Sequence, residues 1–265
     1  MGVDNKKYIN YFILFLFFFI TSWGFGYAIL NRYNPTELVS LSDVGIYANI
    51  VKFGLGEITY DMSYRSTRVV FPLIARGFYL FLPQLGSWDT LTNSLLITSS
   101  IFSALSALLI MDLSFRMYKD QKISILASFI FLTSFIVVNL HQVGLIDSAY
   151  CFCFILLIYI LHIKKYYLIV PLFIFGTLTK EQFIVFGSSI TFFYIFYEYF
   201  YNKTFNKPLT IYLFITSLLS TIVMIFVHSY VKEGLSLPWQ IIVDTQRLTL
   251  TDSSGWKVRF DFEYF

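Results

Sequence analysis

Apolar runs of about 18 to 20 residues, the length that crosses a hydrocarbon core, recur along this chain with only short polar breaks between them. No feature narrows the possible folds more. In a bilayer every backbone amide must find its partner inside the protein, so only helices and closed barrels can span. Barrel strands alternate apolar and polar side chains over segments of roughly 10 residues. The runs from Tyr11 to Ile20 and from Ile211 to Val227 are apolar on every face. Helices are therefore expected, and composition agrees: 57% of residues are hydrophobic and only 13% charged, with a mean hydropathy of +0.68. The expected fold is all-α, a polytopic membrane helix bundle of about seven spans, at 9–29, 90–112, 123–140, 148–162, 166–178, 183–200 and 209–230. They form one module over 1–230, with a C-terminal segment over 231–265.

Charge placement sets the expected orientation. Lys6 and Lys7, then Arg116, Lys119 and Lys122, then Lys164 and Lys165, then Lys203 and Lys207 fall on one side if the apolar stretch from Val69 to Leu85 does not cross. Short basic loops stay in the cytoplasm, so the N-terminus is placed inside and the C-terminus outside. The Asn202-Lys203-Thr204 sequon would then face inward and go unused. The first apolar run is long and has no small-residue cleavage site after it, which favours a retained anchor over a signal peptide. Lys6 occupies the position where N-myristoylation requires Ser or Thr. The Phe, Ile, Tyr and Lys content suggests a prokaryotic plasma membrane, although the endoplasmic reticulum obeys the same orientation rule.

The small net charge of +3, with dispersed basic residues, gives no nucleic-acid footprint. Cys151 and Cys153 are two apart on a helix, so their side chains diverge and cannot bridge. His141, His162 and His228 are too scattered for a metal site. No cofactor and no divalent metal is indicated. Any chemistry is expected in the outer segments, which comprise a first loop of about 60 residues from Leu30 to Asp89 and the turns around His141–Asp147 and Thr179–Gln182. A loop of that length usually has structure of its own. Asp43, Ile46, Tyr47, Ile50 and Val51 have helical spacing, and Pro72 suits the first turn of a helix starting near Val70. Two interfacial helices are expected there.

Each polar candidate has an ordinary alternative. Asp43 is a natural helix N-cap. Arg65 and Arg68 could snorkel to headgroups or pair with Asp61, yet three apart on a helical turn they could aim two guanidinium forks at one phosphate. Asp147 could cap the fourth span, and Lys180 could pair with its neighbour Glu181.

Three segments carry a resemblance: Leu41-Ser42-Asp43-Val44-Gly45-Ile46-Tyr47-Ala48, Tyr64-Arg65-Ser66-Thr67-Arg68-Val69-Val70-Phe71-Pro72-Leu73-Ile74-Ala75, and Leu178-Thr179-Lys180-Glu181. With the large first outer loop, they resemble the GT-C-fold integral-membrane glycosyltransferases, mannosyltransferase-like enzymes that use sugars linked to polyprenyl or dolichyl phosphate. The resemblance implies a polyprenyl-phosphate-sugar donor, a glycan, lipid or protein acceptor, and transfer with inversion at the extracytoplasmic face, as in building cell-envelope glycans. It implies Asp43 as general base, Arg65, Arg68 and Lys180 as donor-phosphate ligands, and Tyr47, His141, Asp147 and Glu181 as groups that orient substrate. Many members of that family continue into further spans or an outer domain, whereas this sequence ends about 35 residues after its last expected span. A truncated or inactive relative is therefore one alternative. A noncatalytic membrane subunit or lipid-binding scaffold is another. A transporter is a third, disfavoured because the expected spans are nearly free of ionisable groups.

Overall fold

The computed structural model describes residues 2–30, 44–55, 68–83, 90–139, 145–203 and 205–231, and the described residues are all-α. In chain order the helices are α1 (Gly2–Leu30), α2 (Val44–Phe53), α3 (Val70–Phe81), α4 (Thr90–Tyr118), α5 (Gln121–Thr133), α6 (Phe135–Asn139), α7 (Asp147–Ile163), α8 (Ile169–Thr179), α9 (Phe183–Asn202) and α10 (Lys207–Val231), with a 3-10 turn at Tyr166–Leu168 leading into α8. Over the described residues each of the seven apolar segments read from the sequence is helical, apart from Ser134. Among the described residues three helices are long and apolar enough to cross a membrane by length and composition: Thr90–Tyr118, Phe183–Asn202 and Lys207–Tyr230. The chain is thus a membrane-embedded helical bundle.

The segment 123–140 is not one continuous helix. Ser134 takes an extended backbone (φ −62°, ψ 145°), which ends α5, and α6 restarts after it. The Ser134 hydroxyl accepts from the Val137 amide at 3.4 Å, supporting the restart.

α4 is the hub, packing against α1, α3, α5 and α7. Its sequence explains why. Ser94, Thr98, Ser99, Ser100, Ser103, Ala104, Ser106 and Ala107 are all buried, and such small side chains let neighbouring backbones approach closely where lipid gives no hydrophobic drive for helix association. Thr98 and Ser106 return their hydroxyls to the carbonyls of Ser94 and Phe102, both at 2.8 Å. Ser128 of α5 donates across the interface to the Ala107 carbonyl at 2.8 Å. By contrast α9 and α10 expose Phe193, Phe200, Phe214 and Phe226, the surface expected against hydrocarbon.

α2 and α3 begin near the positions expected from sequence. Their apolar faces, however, are covered by protein. Val44, Tyr47, Ala48 and Val51 of α2, with Phe71 and Ala75 of α3, share one core with Leu91, Leu95 and Phe102 of α4 and with Ile146 and Ala149 at the head of α7. Arg76 fastens the two short helices together. Its Nη1 donates to the carbonyls of Val51 (2.9 Å) and Lys52 (2.6 Å), the groups a helix C-terminus leaves without internal partners. α2 ends at Gly54, whose φ of +82° a side chain would oppose.

At the opposite end of the bundle, Lys119, Lys164 and Lys203 adopt φ of 56°, 59° and 54°. They close α4, α7 and α9 in the left-handed conformation that terminates helices. Lysine is a poorer fit than glycine there, but it places a cation at the negative end of each helix dipole.

Candidate functional site

The turn between α8 and α9 is the foundation of the site. Gly176 and Phe183 build it: a Cβ on Gly176 would lie 2.3 Å from the Phe183 ring, so the helices approach this closely only because that side chain is missing. The Phe183 ring is fully buried against Phe173 (centroids 5.3 Å apart) and Phe154 (5.0 Å). The Lys180 amide donates to the Gly176 carbonyl at 2.8 Å, and the Phe183 amide to the Lys180 carbonyl at 2.9 Å. Lys180 itself is extended (φ −156°, ψ 123°). Successive side chains on extended backbone point to opposite sides, so Lys180 and Glu181 face away from each other.

Glu181 turns toward Arg68, the residue two before α3. Arg68 donates from Nε to Oε2 at 2.9 Å and from Nη2 to Oε1 at 2.5 Å, a two-pronged pair with side chains only 10% and 12% exposed. Arg68 Nη1 also reaches the Tyr47 hydroxyl of α2 at 3.4 Å. Burial works against the charge on both partners. The hydrogen bonds and opposite charge outweigh it, holding Arg68 above the ordinary arginine value and Glu181 below the ordinary carboxylate value. Burial pushes the Tyr47 hydroxyl up to about 12, so it is a neutral phenol at physiological pH.

Lys180 turns the other way. Its Nζ donates to Asp147 Oδ1 at 3.1 Å and sits 4.9 Å from the Tyr150 ring centroid, a cation over an aromatic face. With side chains 20% and 33% exposed, this pair is wetter than the first. Asp147 lies in the first turn of α7, where its charge suits the helix dipole, but the N-cap is Ile146 and no side chain caps the helix. Asp147 therefore serves Lys180 instead of the helix end.

The structure thus brings together Tyr47, Arg68, Asp147, Lys180 and Glu181 from α2, the start of α3, the head of α7 and the α8–α9 turn. It separates some pairings read from sequence: Lys180 pairs with Asp147 and not Glu181, and Arg68 engages Glu181. The described backbone turns helical at Val70, after Arg68. Asp43, Arg65 and His141 lie outside the described residues, as does Asp61. Tyr150 was missed, although Asp147 and Tyr150 are three apart and so share one helix face.

A second polar cluster occupies the other end of the bundle. Asp112 of α4 accepts from Tyr11 of α1 (2.9 Å), Tyr159 of α7 (2.6 Å) and Arg116 one turn on (2.7 Å). On α9, Glu198 accepts from Asn206 (2.7 Å) and Tyr194 (3.1 Å). Among the described residues no group of three or more His, Cys, Asp or Glu could hold a metal ion. Cys151 and Cys153 are free thiols. No protein-family model, no curated protein and no solved structure matches the chain.

Proposed function

We propose that the chain is a GT-C-like membrane glycosyltransferase, which moves a sugar from a polyprenyl-phosphate donor to an acceptor hydroxyl at the end of the bundle where α2, α3 and the α8–α9 turn meet. One observation supports this reading above the others. Two cations and two carboxylates from three segments distant in sequence gather there with Tyr47, which comes from a fourth. Of the cations, Lys180 suits the donor phosphate, because it is the more exposed and its carboxylate partner is partly solvated. Arg68, committed to Glu181 on two prongs, orients the loop helices that carry the remaining groups.

In this reading Asp43, immediately before α2 in sequence, takes the proton from the acceptor hydroxyl. The acceptor oxygen forms its bond to the anomeric carbon from the face opposite the phosphate. The bond from that carbon to the phosphate oxygen breaks, its electron pair leaving with the polyprenyl phosphate, and configuration inverts. Lys180, joined by Arg65 as the resemblance implies, offsets the charge that grows on the departing phosphate, so the leaving group needs no proton. The orientation that accompanies this proposal has the N-terminus cytoplasmic, the C-terminus and this site outside, and seven spans.

The test is transfer of a radiolabelled sugar from polyprenyl phosphate in membranes holding the full chain, with Asp43→Asn and Lys180→Gln compared with the unaltered protein. Loss of transfer in both supports the reading. Undiminished transfer by Asp43→Asn removes the base, and no transfer from any lipid-linked sugar favours a noncatalytic scaffold. The buried Arg68–Glu181 lock is the observation that favours the scaffold, since it ties the loop helices to the bundle whether or not substrate binds.

A further inference from the structure

α1 and α7 both pack on α4 but, among the described residues, do not pack extensively on each other. Between them lies a cavity of about 400 Å³, far from the site above. Its floor is α4, through Leu105, Leu108 and Leu109. Phe152 and Leu156 of α7 form one wall and Tyr11 of α1 the other. The cavity is apolar along its length and polar only at the end near the α4–α5 turn, where Asp112, Arg116 and Tyr159 line it.

The charges at that end are unevenly committed. Asp112 accepts three hydrogen bonds. Asp120 Oδ1 accepts the amides of Lys122 and Ile123, capping α5. Both carboxylates are thus spent on the protein. Arg116 uses Nε on Asp112, but its side chain is 44% exposed, and Lys119 and Lys122 beside it are exposed too. The cleft therefore presents an apolar trough ending in outward-facing cations, and the α4–α5 end carries three cations against two acids.

We propose that this cleft holds one phospholipid whose headgroup carries a net negative charge. The phosphate lies against Arg116 at the mouth, and one acyl chain lies along Leu105, Leu109 and Leu156. The geometry matches an amphiphile whose polar end sits in the headgroup layer, and guanidinium is the side chain best suited to phosphate. The occupant is a bilayer lipid of the leaflet at this end, not the sugar donor, so the proposal stands apart from the transferase reading.

The experiment reconstitutes the full chain in phosphatidylcholine vesicles with a trace of phosphatidic acid bearing a photoreactive acyl tail, or of phosphatidylcholine bearing the same tail. Cross-linked peptides are then mapped by mass spectrometry. Phosphatidic acid should label the peptides around Leu105–Leu109 and Phe152–Leu156 about tenfold more than phosphatidylcholine does, the ratio for one charge-assisted contact worth ~1.4 kcal/mol. Arg116→Gln should erase that preference while leaving residual labelling of the cleft. Leu109→Trp, which fills the trough but keeps the whole Asp112 network, should remove cleft labelling by both lipids. Equal labelling by the two lipids overturns the proposal, as does a preference that survives Arg116→Gln, or labelling spread evenly over α9 and α10.

Discussion

Replacing Glu181 by Gln keeps the shape of the buried pair and removes its negative charge, leaving the Arg68 guanidinium 10% exposed beside a neutral amide. Breaking a buried pair by removing one partner costs about 3–5 kcal/mol, because the remaining charge stays out of water. Residual exposure and the Tyr47 hydroxyl soften the penalty, which places the expected loss near the lower bound, about 3 kcal/mol. At roughly 2–4 °C per kcal/mol for a chain of this size, the melting midpoint in detergent should fall by about 6–12 °C. Arg68→Met combined with Glu181→Leu removes both charges and should stay within about 1 kcal/mol of the unaltered protein. The double mutant is therefore more stable than either single one. The pair also sets a pH dependence. Burial alone would raise the Glu181 pKa, but Arg68 lowers it below the ordinary 4.5. A carboxyl with a depressed folded-state pKa contributes stability that is fully present above its unfolded value and is lost as pH falls through the folded one. Melting followed from neutral pH to below 4.5 should show a decline that Glu181→Gln lacks. A loss under about 0.5 kcal/mol for the single mutant, as exposed pairs often give, would refute the reasoning, as would identical acid profiles.

Gly176→Ala and Gly77→Ala should differ in sign. The first drives a methyl into the Phe183 ring at 2.3 Å and should cost about 1–3 kcal/mol, whereas the second, on α3 with nothing within 4 Å, should stabilise by about 0.5–1 kcal/mol; thermal melts compare them. Tyr159→Phe removes one of three donors to Asp112 and should cost about 1.5–3 kcal/mol, read by the same melts. Arg68→Lys keeps the charge but loses the two-pronged geometry, so it should destabilise, though less than Glu181→Gln because Glu181 keeps a cationic partner, while Lys180→Arg, at a wetter site, should leave the midpoint within about 1 kcal/mol of unaltered.

The length of the apolar runs located the helices because in lipid it answers a local demand: each backbone amide must be satisfied within its own segment. The start of α3 near Val70 was legible for a similarly local reason, the fixed φ of Pro72 two residues in. What the sequence did not reveal was non-local. Arg68 and Glu181 are 113 positions apart, and no spacing rule links them. The apolar face of α2 showed that it must be covered, not that α4 and α7 cover it. The break at Ser134 has no Gly or Pro to announce it. Lys180 and Glu181, adjacent in sequence, looked like each other's partners, and the extended backbone at Lys180 sends them apart.

That separation gives the candidate site its character. If Lys180 and Glu181 neutralised each other, the turn would be electrically quiet and the residues leading into α3 would lose their ion pair with the α8–α9 turn. Instead one residue locks the loop helices through Arg68 in a nearly dry pair, and its neighbour holds a cation at the edge of water against Asp147 and Tyr150. A phosphate approaching Lys180 would compete with one carboxylate that water already screens, whereas at Arg68 it would have to displace two short hydrogen bonds from a buried carboxylate. The cost of exchange is therefore lower at Lys180, and the rigidity needed to aim it comes from the turn that Gly176 and Phe183 hold closed.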